Sequence, residues 1–276
     1  MNTRPNDRIA NLRRSFRALH ESGCFVIPNP WDAGSARYLA SLGFKALATT
    51  SSGYAWSRAL PDHGVSRDAM LGHLREIVEA TDLPVNADFE SGFGADAAAV
   101  HDSVALAVAT GVAGLSIEDS TGDAQRPLFE RAEAVERMRA ARGAIDAAGG
   151  ETLLVGRAEC FLVGLPDLRE TIARLQAYAE AGADCLYAPG LKSRDDIATV
   201  VRELAPKPIN VLVGGVSDLD VAQIAALGVR RISVGGGLAR AAWGGFMRAA
   251  TALAGGSFEG FAQSASHPEL NALMRD

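Results

Sequence analysis

The sequence predicts a (β/α)8 barrel, the TIM barrel, with an extra amino-terminal helix and a carboxyl-terminal helical tail, as a single domain over residues 1–276. Three observations lead there. Short apolar runs alternate with amphipathic stretches eight times over about 230 residues, the pattern of parallel strands joined by helices and the usual size of such a barrel. Glycine follows helix ends at Leu42-Gly43, Thr110-Gly111, Ala181-Gly182 and Leu227-Gly228, where the left-handed cap conformation favours it. No linker, low-complexity run or short-period repeat interrupts the series, and 276 residues fit one barrel without a second domain.

Taken in order, residues 7–21 form an amphipathic helix with Ile9, Leu12, Phe16 and Leu19 on one face, placed to cap or flank the barrel. Strand one is Cys24-Phe-Val-Ile, broken at Pro28-Asn-Pro30, with Asp32 as the cap of a helix over 33–42. Strand two, residues 45–49, opens into Thr50-Ser-Ser-Gly53 and a long loop carrying Arg58, Asp62 and His63 before a helix over 66–80. Strand three is Leu83-Pro-Val-Asn-Ala, followed by Asp88, Glu90 and a Gly92-Phe93-Gly94 turn, then a helix over 96–110. Strand four, 113–117, ends in Glu118-Asp119, with its helix at 130–148, and strand five, 152–156, ends in Arg157 and Glu159, with its helix at 167–180. Strands six (185–188), seven (208–212) and eight (231–234) end in Pro189-Gly190, Val213-Gly-Gly215 and Gly235-Gly-Gly237. The last leads into a helix over 238–254, and the remaining tail carries a short helix near 268–274.

Composition narrows the function classes. A net charge of -6 argues against general nucleic-acid binding, which needs clustered Lys and Arg. No apolar run approaches the roughly 20 residues of a membrane span, and the amino terminus lacks the apolar stretch of a signal peptide, so a cytoplasmic location is expected. Cys24, Cys160 and Cys185 show no paired metal-ligand spacing; Cys24 and Cys185 fall in predicted strands, and packing is their expected role.

In a barrel of this kind, the loops after the strands share one face, so residues distant in sequence meet there. The residues so gathered are Thr50 to Gly53, Asp62, Asp88, Glu90, Glu118, Asp119, Arg157, Glu159, Asn210 and the 235–237 turn. The acids suit a hard divalent cation such as Mg2+. Arg157 can hold a carboxylate through two parallel hydrogen bonds, or form a structural ion pair with Glu118 or Glu159. The small residues at 51–53 offer backbone N–H groups to a second anion. The 235–237 run is either a tight turn or a phosphate-binding loop. Together these features describe a pocket for a small dianionic acid.

Pro28-Asn-Pro-Trp-Asp-Ala-Gly-Ser-Ala36, Leu60-Pro-Asp-His-Gly64, Val85 to Gly94, Leu115-Ser-Ile-Glu-Asp119, Gly156-Arg-Ala158 and Arg231-Ile-Ser-Val-Gly235 resemble, in order and spacing, the isocitrate lyase/phosphoenolpyruvate mutase superfamily over about residues 25–250. The resemblance implies an enzyme that uses Mg2+, or Mn2+ in its place, to form or cleave a C–C or P–C bond beside a 2-oxo or enol carboxylate. It implies metal-sphere carboxylates at Asp88, Glu90 and Glu118, and catalytic roles for Asp62, Arg157 and Glu118. Substrate contacts would come from Thr50, Ser51, Ser52, Gly53, Arg157 and Asn210. A homo-oligomer, dimer or tetramer, with its last helices exchanged between subunits is also implied.

Two departures from the family pattern matter. The loop Ser120-Thr-Gly-Asp-Ala-Gln-Arg-Pro-Leu-Phe129 has no Lys, Cys or His, whereas isocitrate and methylisocitrate lyases carry a Lys-x-Cys-Gly-His-like gate there. The sixth strand ends in Ala188-Pro189-Gly190 without the acid those lyases use. The expected chemistry is therefore cleavage of a small 2-oxo acid through a metal-stabilised enolate, as in an oxaloacetate-type decarboxylation. The alternatives are P–C chemistry, with Gln125 or Arg126 guarding the intermediate, and a non-catalytic 2-oxo acid binding protein.

Overall fold

A computed structural model describes residues 5–275. Its eight strands are β1 (Phe25–Ile27), β2 (Leu47–Ala48), β3 (Val85–Asp88), β4 (Gly114–Glu118), β5 (Leu153–Arg157), β6 (Cys185–Tyr187), β7 (Ile209–Leu212) and β8 (Arg231–Ser233). All ladders are parallel, consecutive strands from β2 to β8 pair with each other, and β8 pairs with β1. Between β1 and β2 the circle is joined by the N–H of Ala48 donating to the Pro28 carbonyl at 3.0 Å. The predicted (β/α)8 barrel is the observed fold.

The helices are α1 (Pro5–Leu19), α2 (Ala33–Ser41), α3 (Ser51–Ser57), α4 (Arg67–Ala80), α5 (Ala97–Ala109), α6 (Arg131–Ala147), α7 (Leu168–Glu180), α8 (Arg194–Glu203), α9 (Val221–Ala226), α10 (Gly237–Ala254) and α11 (His267–Leu273). Asp32, Thr50, Ser66, Asp96, Asp167, Ser193, Asp220 and Ser266 each cap a helix by accepting the N–H three residues on. These caps satisfy orphan amide donors at each helix start and set where the chain leaves the barrel mouth.

Helix α1 stops the amino end of the barrel. Phe16 is fully buried in a cluster with Ile27, Ala46, Ala48, Ala113 and Leu153. A Cβ on Gly114 would lie 2.7 Å from the Phe16 ring, so strand four needs glycine there. Truncating Phe16 would cost about 3–5 kcal/mol through lost burial and the cavity left behind. At the other end of the chain, α11 returns to α2, where Arg37 donates to the Met274 carbonyl at 3.1 Å.

Four sequence expectations need correction. Cys24 lies one residue before β1, and strand two is only Leu47–Ala48. Strands four and five, expected to close at 117 and 156, each run one residue further, to Glu118 and Arg157. The stretch after strand two, read as loop, is the helix α3: the Thr50 cap and contacts to β3 outweigh the weak helix propensity of Ser-Ser-Gly.

Candidate active site

Strand alternation decides which side chains enter the barrel. Asn86 and Asp88 on β3, Ser116 on β4, Arg157 on β5, Tyr187 on β6, Leu212 on β7, and Arg231 and Ser233 on β8 line one cavity of about 250 Å3, closed above by residues 50–52 and 234–237. This interior is polar where most barrels of the class stack branched apolar side chains.

Arg157 sits among acids. Its Nη1 is 3.0 Å from Asp88 Oδ1 and 3.0 Å from Glu118 Oε2, and its Nε is 2.5 Å from Glu159 Oε1. The guanidinium carbon lies 5.2 Å from the centroid of the Tyr187 ring, a cation–π distance. Burial alone would lower the Arg157 pKa, but Glu118, Glu159 and Asp88 together hold the guanidinium firmly cationic. Burial pushes Glu118 well above the usual carboxylate range against the pull of Arg157, and raises Glu159 likewise.

Asp88 is held from a second side. Ser51 donates to Asp88 Oδ2 from both its backbone N–H and its hydroxyl, each at 3.0 Å, and the Ser51 hydroxyl lies 3.3 Å from Asp62 Oδ1. The Ser51 amide expected to await an anion is therefore engaged by Asp88. The Gly53 N–H is taken by Thr50 Oγ1 at 3.3 Å. Likewise the N–H groups of Val234 and Gly235 both donate to Asn29 Oδ1 at 2.9 Å, so the glycine run is a pinned turn into α10 with those donors spoken for.

The loop over the site brings in His63. Its Nδ1 lies 3.4 Å from Glu90 Oε2 and its Nε2 3.8 Å from Glu118 Oε1. The hydrogen bond to Glu90 raises the imidazole pKa to about 9, with burial opposing and Glu118 and Asp62 assisting. Burial raises Glu90, and His63 opposes that rise.

Of the Asp88, Glu90 and Glu118 carboxylates expected around a metal, Glu90 points away from the other two. Among the described residues, no three His, Cys, Asp or Glu side chains form a group able to hold a metal ion. Glu90 has a left-handed backbone (φ 47°) that turns it to His63, while Asp88 and Glu118 converge on Arg157. The donor chemistry of that remaining pair still fits Mg2+, which binds through one or two carboxylates and keeps several waters. Glu118 Oε1 is buried with no hydrogen-bond partner, an acceptor open to a cation.

Asp119 faces away from the cavity. It accepts from Tyr178 Oη at 2.6 Å, Arg174 Nη1 at 3.0 Å and the Glu159 N–H at 2.8 Å, bracing the backbone beside Arg157. Asn210 binds no open space either. Its amide accepts from Arg231 Nε at 2.8 Å and donates to Ser233 Oγ at 2.9 Å.

Sequence reasoning missed Asn86, Ser116, Tyr187 and Arg231. The signal was present in the period-two patterns Asn86-x-Asp88, Ser116-x-Glu118 and Arg231-x-Ser233, which put both members of each pair on one strand face. Gln125 and Arg126 lie apart from the site: Arg126 pairs with Glu133 at 2.6 Å and lines a separate cleft beside Phe129.

Carboxylates gathered around one arginine at the strand ends of a (β/α)8 barrel occupy the face on which barrel enzymes carry their active sites. The phosphoenolpyruvate phosphomutase family model matches residues 16–254, and this chain belongs to that family, within the phosphoenolpyruvate mutase/isocitrate lyase superfamily of enzymes. The crystal structure of a putative lyase/mutase from Burkholderia cenocepacia J2315 is similar at 48% identity and a TM-score of 0.93, covering 96% of this chain and 97% of that one. An oxaloacetate decarboxylase from Pseudomonas savastanoi pv. phaseolicola is 31% identical over 229 residues, 80% of this chain and 77% of that protein. A phosphonopyruvate hydrolase solved with oxalate and Mg++ is similar at 27% identity and a TM-score of 0.83, covering 95% of this chain and 94% of that one. Among the described residues no helix is long and apolar enough to cross a membrane.

Proposed function

We propose that this protein is a Mg2+-dependent lyase that cleaves a C–C bond of a small 2-oxo carboxylic acid through an enolate, as in oxaloacetate decarboxylation. The observation that carries this reading is the convergence of Asp88 and Glu118 on Arg157 at the mouth of a cavity of about 250 Å3, room for a ligand of a few carbons. Similarity to the oxaloacetate decarboxylase, and to a hydrolase crystallised with Mg++, supports it.

Asp88 and Glu118 would hold the cation, which when bound supplies a Lewis acid for the charge that develops on the 2-oxo oxygen. The chain's own residues do the rest. Arg157 keeps the two carboxylates together, Ser51 fixes the orientation of Asp88 with Asp62 beside the same hydroxyl, and Asp119 braces the chain from Arg157 to Glu159. Loss of CO2 leaves its bonding electron pair in the enolate and asks for no protein acid, which agrees with a 120–129 loop free of Cys, His and Lys. The proton that completes pyruvate would come from water or from His63.

The P–C reading has less support, because Arg126 is paired with Glu133 away from the cavity. A homo-oligomer is the expected assembly, since α10 and the segment after it leave Phe246, Met247, Phe258 and Phe261 exposed. Sedimentation as a monomer would count against it.

The test is a substrate panel with Mg2+: oxaloacetate, phosphonopyruvate, 2-methylisocitrate and 2-oxoglutarate, followed by NMR, with Asp88→Ala as control. Pyruvate from oxaloacetate above the metal-only background, and lost in the control, is the expected result. Pyruvate and phosphate from phosphonopyruvate would transfer the assignment to P–C hydrolysis.

A further inference from the structure

Arg231 is 2% exposed, yet no carboxylate pairs with it among the described residues. Its Nε meets Asn210 Oδ1 at 2.8 Å and its Nη1 meets Asn86 Oδ1 at 3.3 Å, both neutral amides. Each amide is oriented by a bond of its own: Asn210 donates to Ser233 Oγ and Asn86 to the Ala87 carbonyl. The guanidinium is thus gripped on two nitrogens, and Nη2 has no hydrogen-bond partner among the described residues. Burying a guanidinium without a counter-ion is costly, and proteins avoid it unless something supplies the negative charge.

The other buried arginines show how unusual this is. Arg157 has three carboxylates and Arg174 has Asp119 and Glu170. Arg137 has no ion-paired acid among the described residues either, but it lies on α6 outside the barrel, near Glu133 and Asp96 and with its charge against the carbonyls of Ser91 and Gly94 and the Phe129 ring. Arg231 alone of those without an acid lines the central cavity. Its charge reaches the barrel base: His20 falls to about 3, from burial first and the positive field of Arg231 next.

Arg157, in contrast, is already surrounded by three acids. Arg240 also lines the cavity but stands exposed at its rim, so the buried positive charge without a counter-ion lies one layer deeper, at the first residue of β8. We propose that Arg231 is the oxyanion-binding group at the floor of the cavity, receiving through Nη2 a carboxylate or phosphonate arm of the ligand. This rests on the small-acid reading above and adds the residue that takes the ligand's second anionic end.

The test uses the full chain and three proteins: wild type, Arg231→Lys and Arg231→Gln. With Mg2+ present, sulfate serves as the bare oxyanion probe and melting temperature as the readout. Sulfate is expected to raise the melting temperature of wild type and Arg231→Lys, and to leave Arg231→Gln unmoved. Oxaloacetate kinetics should show a KM at least tenfold higher in Arg231→Gln with kcat changed far less.

Equal sulfate stabilisation of all three proteins, or none in wild type, overturns the proposal. So does an unchanged KM in Arg231→Gln, an outcome that would leave the lyase reading standing. If sulfate stabilisation follows residue 231 while no oxo acid turns over, the anion site stands and the lyase reading falls. Should Arg231→Gln fail to fold, a crystal structure of wild type with sulfate decides: the anion within hydrogen-bond reach of Nη2 supports the assignment, and its absence there removes it.

Discussion

Ser51 donates twice to one oxygen of Asp88, from its backbone N–H and from its hydroxyl, each at 3.0 Å. The first residue of α3 is thereby tied to the last residue of β3, and the carboxylate is aimed by a helix start whose partial positive charge favours it. Asp88 Oδ1 is left to Arg157, so each oxygen of this carboxylate has its own fixed partner.

Ser51→Ala removes one of those two donors and leaves the amide in place. A hydrogen bond to a charged group is worth roughly 1.5–3 kcal/mol, so kcat/KM on oxaloacetate should fall about 10- to 100-fold. Steady-state kinetics with Mg2+ checks this, and a drop of less than twofold would show that the Ser51 hydroxyl does not hold Asp88 for catalysis.

Asp88→Ala should cost roughly 10²-fold or more in kcat, as losses of a preorganised electrostatic group do. Its melting temperature should be equal to or above that of wild type. Removing one acid relieves a site in which Asp88, Glu118 and Glu159 crowd one guanidinium, the usual exchange of function against stability. Calorimetry on the metal-free protein reads it, and a clear loss of stability would contradict this account of the cluster.

Asp119 is the opposite case. Asp119→Ala takes one of two acids from Arg174, which keeps Glu170, and leaves the buried Tyr178 hydroxyl without its acceptor, and should destabilise by about 1–3 kcal/mol. Tyr178→Phe should cost about 1–2 kcal/mol. Urea denaturation measures both, and near-neutral values would mean that the network does not brace the fold.

His63 gives a pH-dependent contribution. Its folded pKa of about 9 lies above the ordinary 6.5, so the folded state binds the proton more tightly than the unfolded one. The stabilisation is fully present below pH 6.5 and is lost as pH rises through 9. In chelator-treated protein, the melting-temperature gap between wild type and His63→Gln should be widest near pH 6 and close by pH 10. A gap that widens with pH would reverse the sign of the His63–Glu90 interaction.

Much of this site was legible in the sequence because strands have a period of two and barrels gather their strand ends. Asp88, Glu118 and Arg157 could each be placed at a strand's carboxyl end, and they do meet. Ser51 was placed near them for a different purpose, as an anion donor, because α3 reads as loop from its Ser, Gly and aromatic residues. Glu118 and Asp119 are neighbours of like charge, and only strand alternation separates their fates: one meets Arg157, the other turns to Tyr178 and Arg174.

By itself the sequence determined the eightfold alternation of strand and helix, and with it the barrel, its helix caps and the face where polar residues collect. These follow from local periodicity and capping, which act over a few residues. Only the tertiary structure decided which charges find partners. Arg157 meets three acids and Arg231 meets two amides because β3, β5, β7 and β8 present particular layers across the barrel axis. The register and tilt that set those layers arise from all eight strands closing together, so they cannot be read from any one of them.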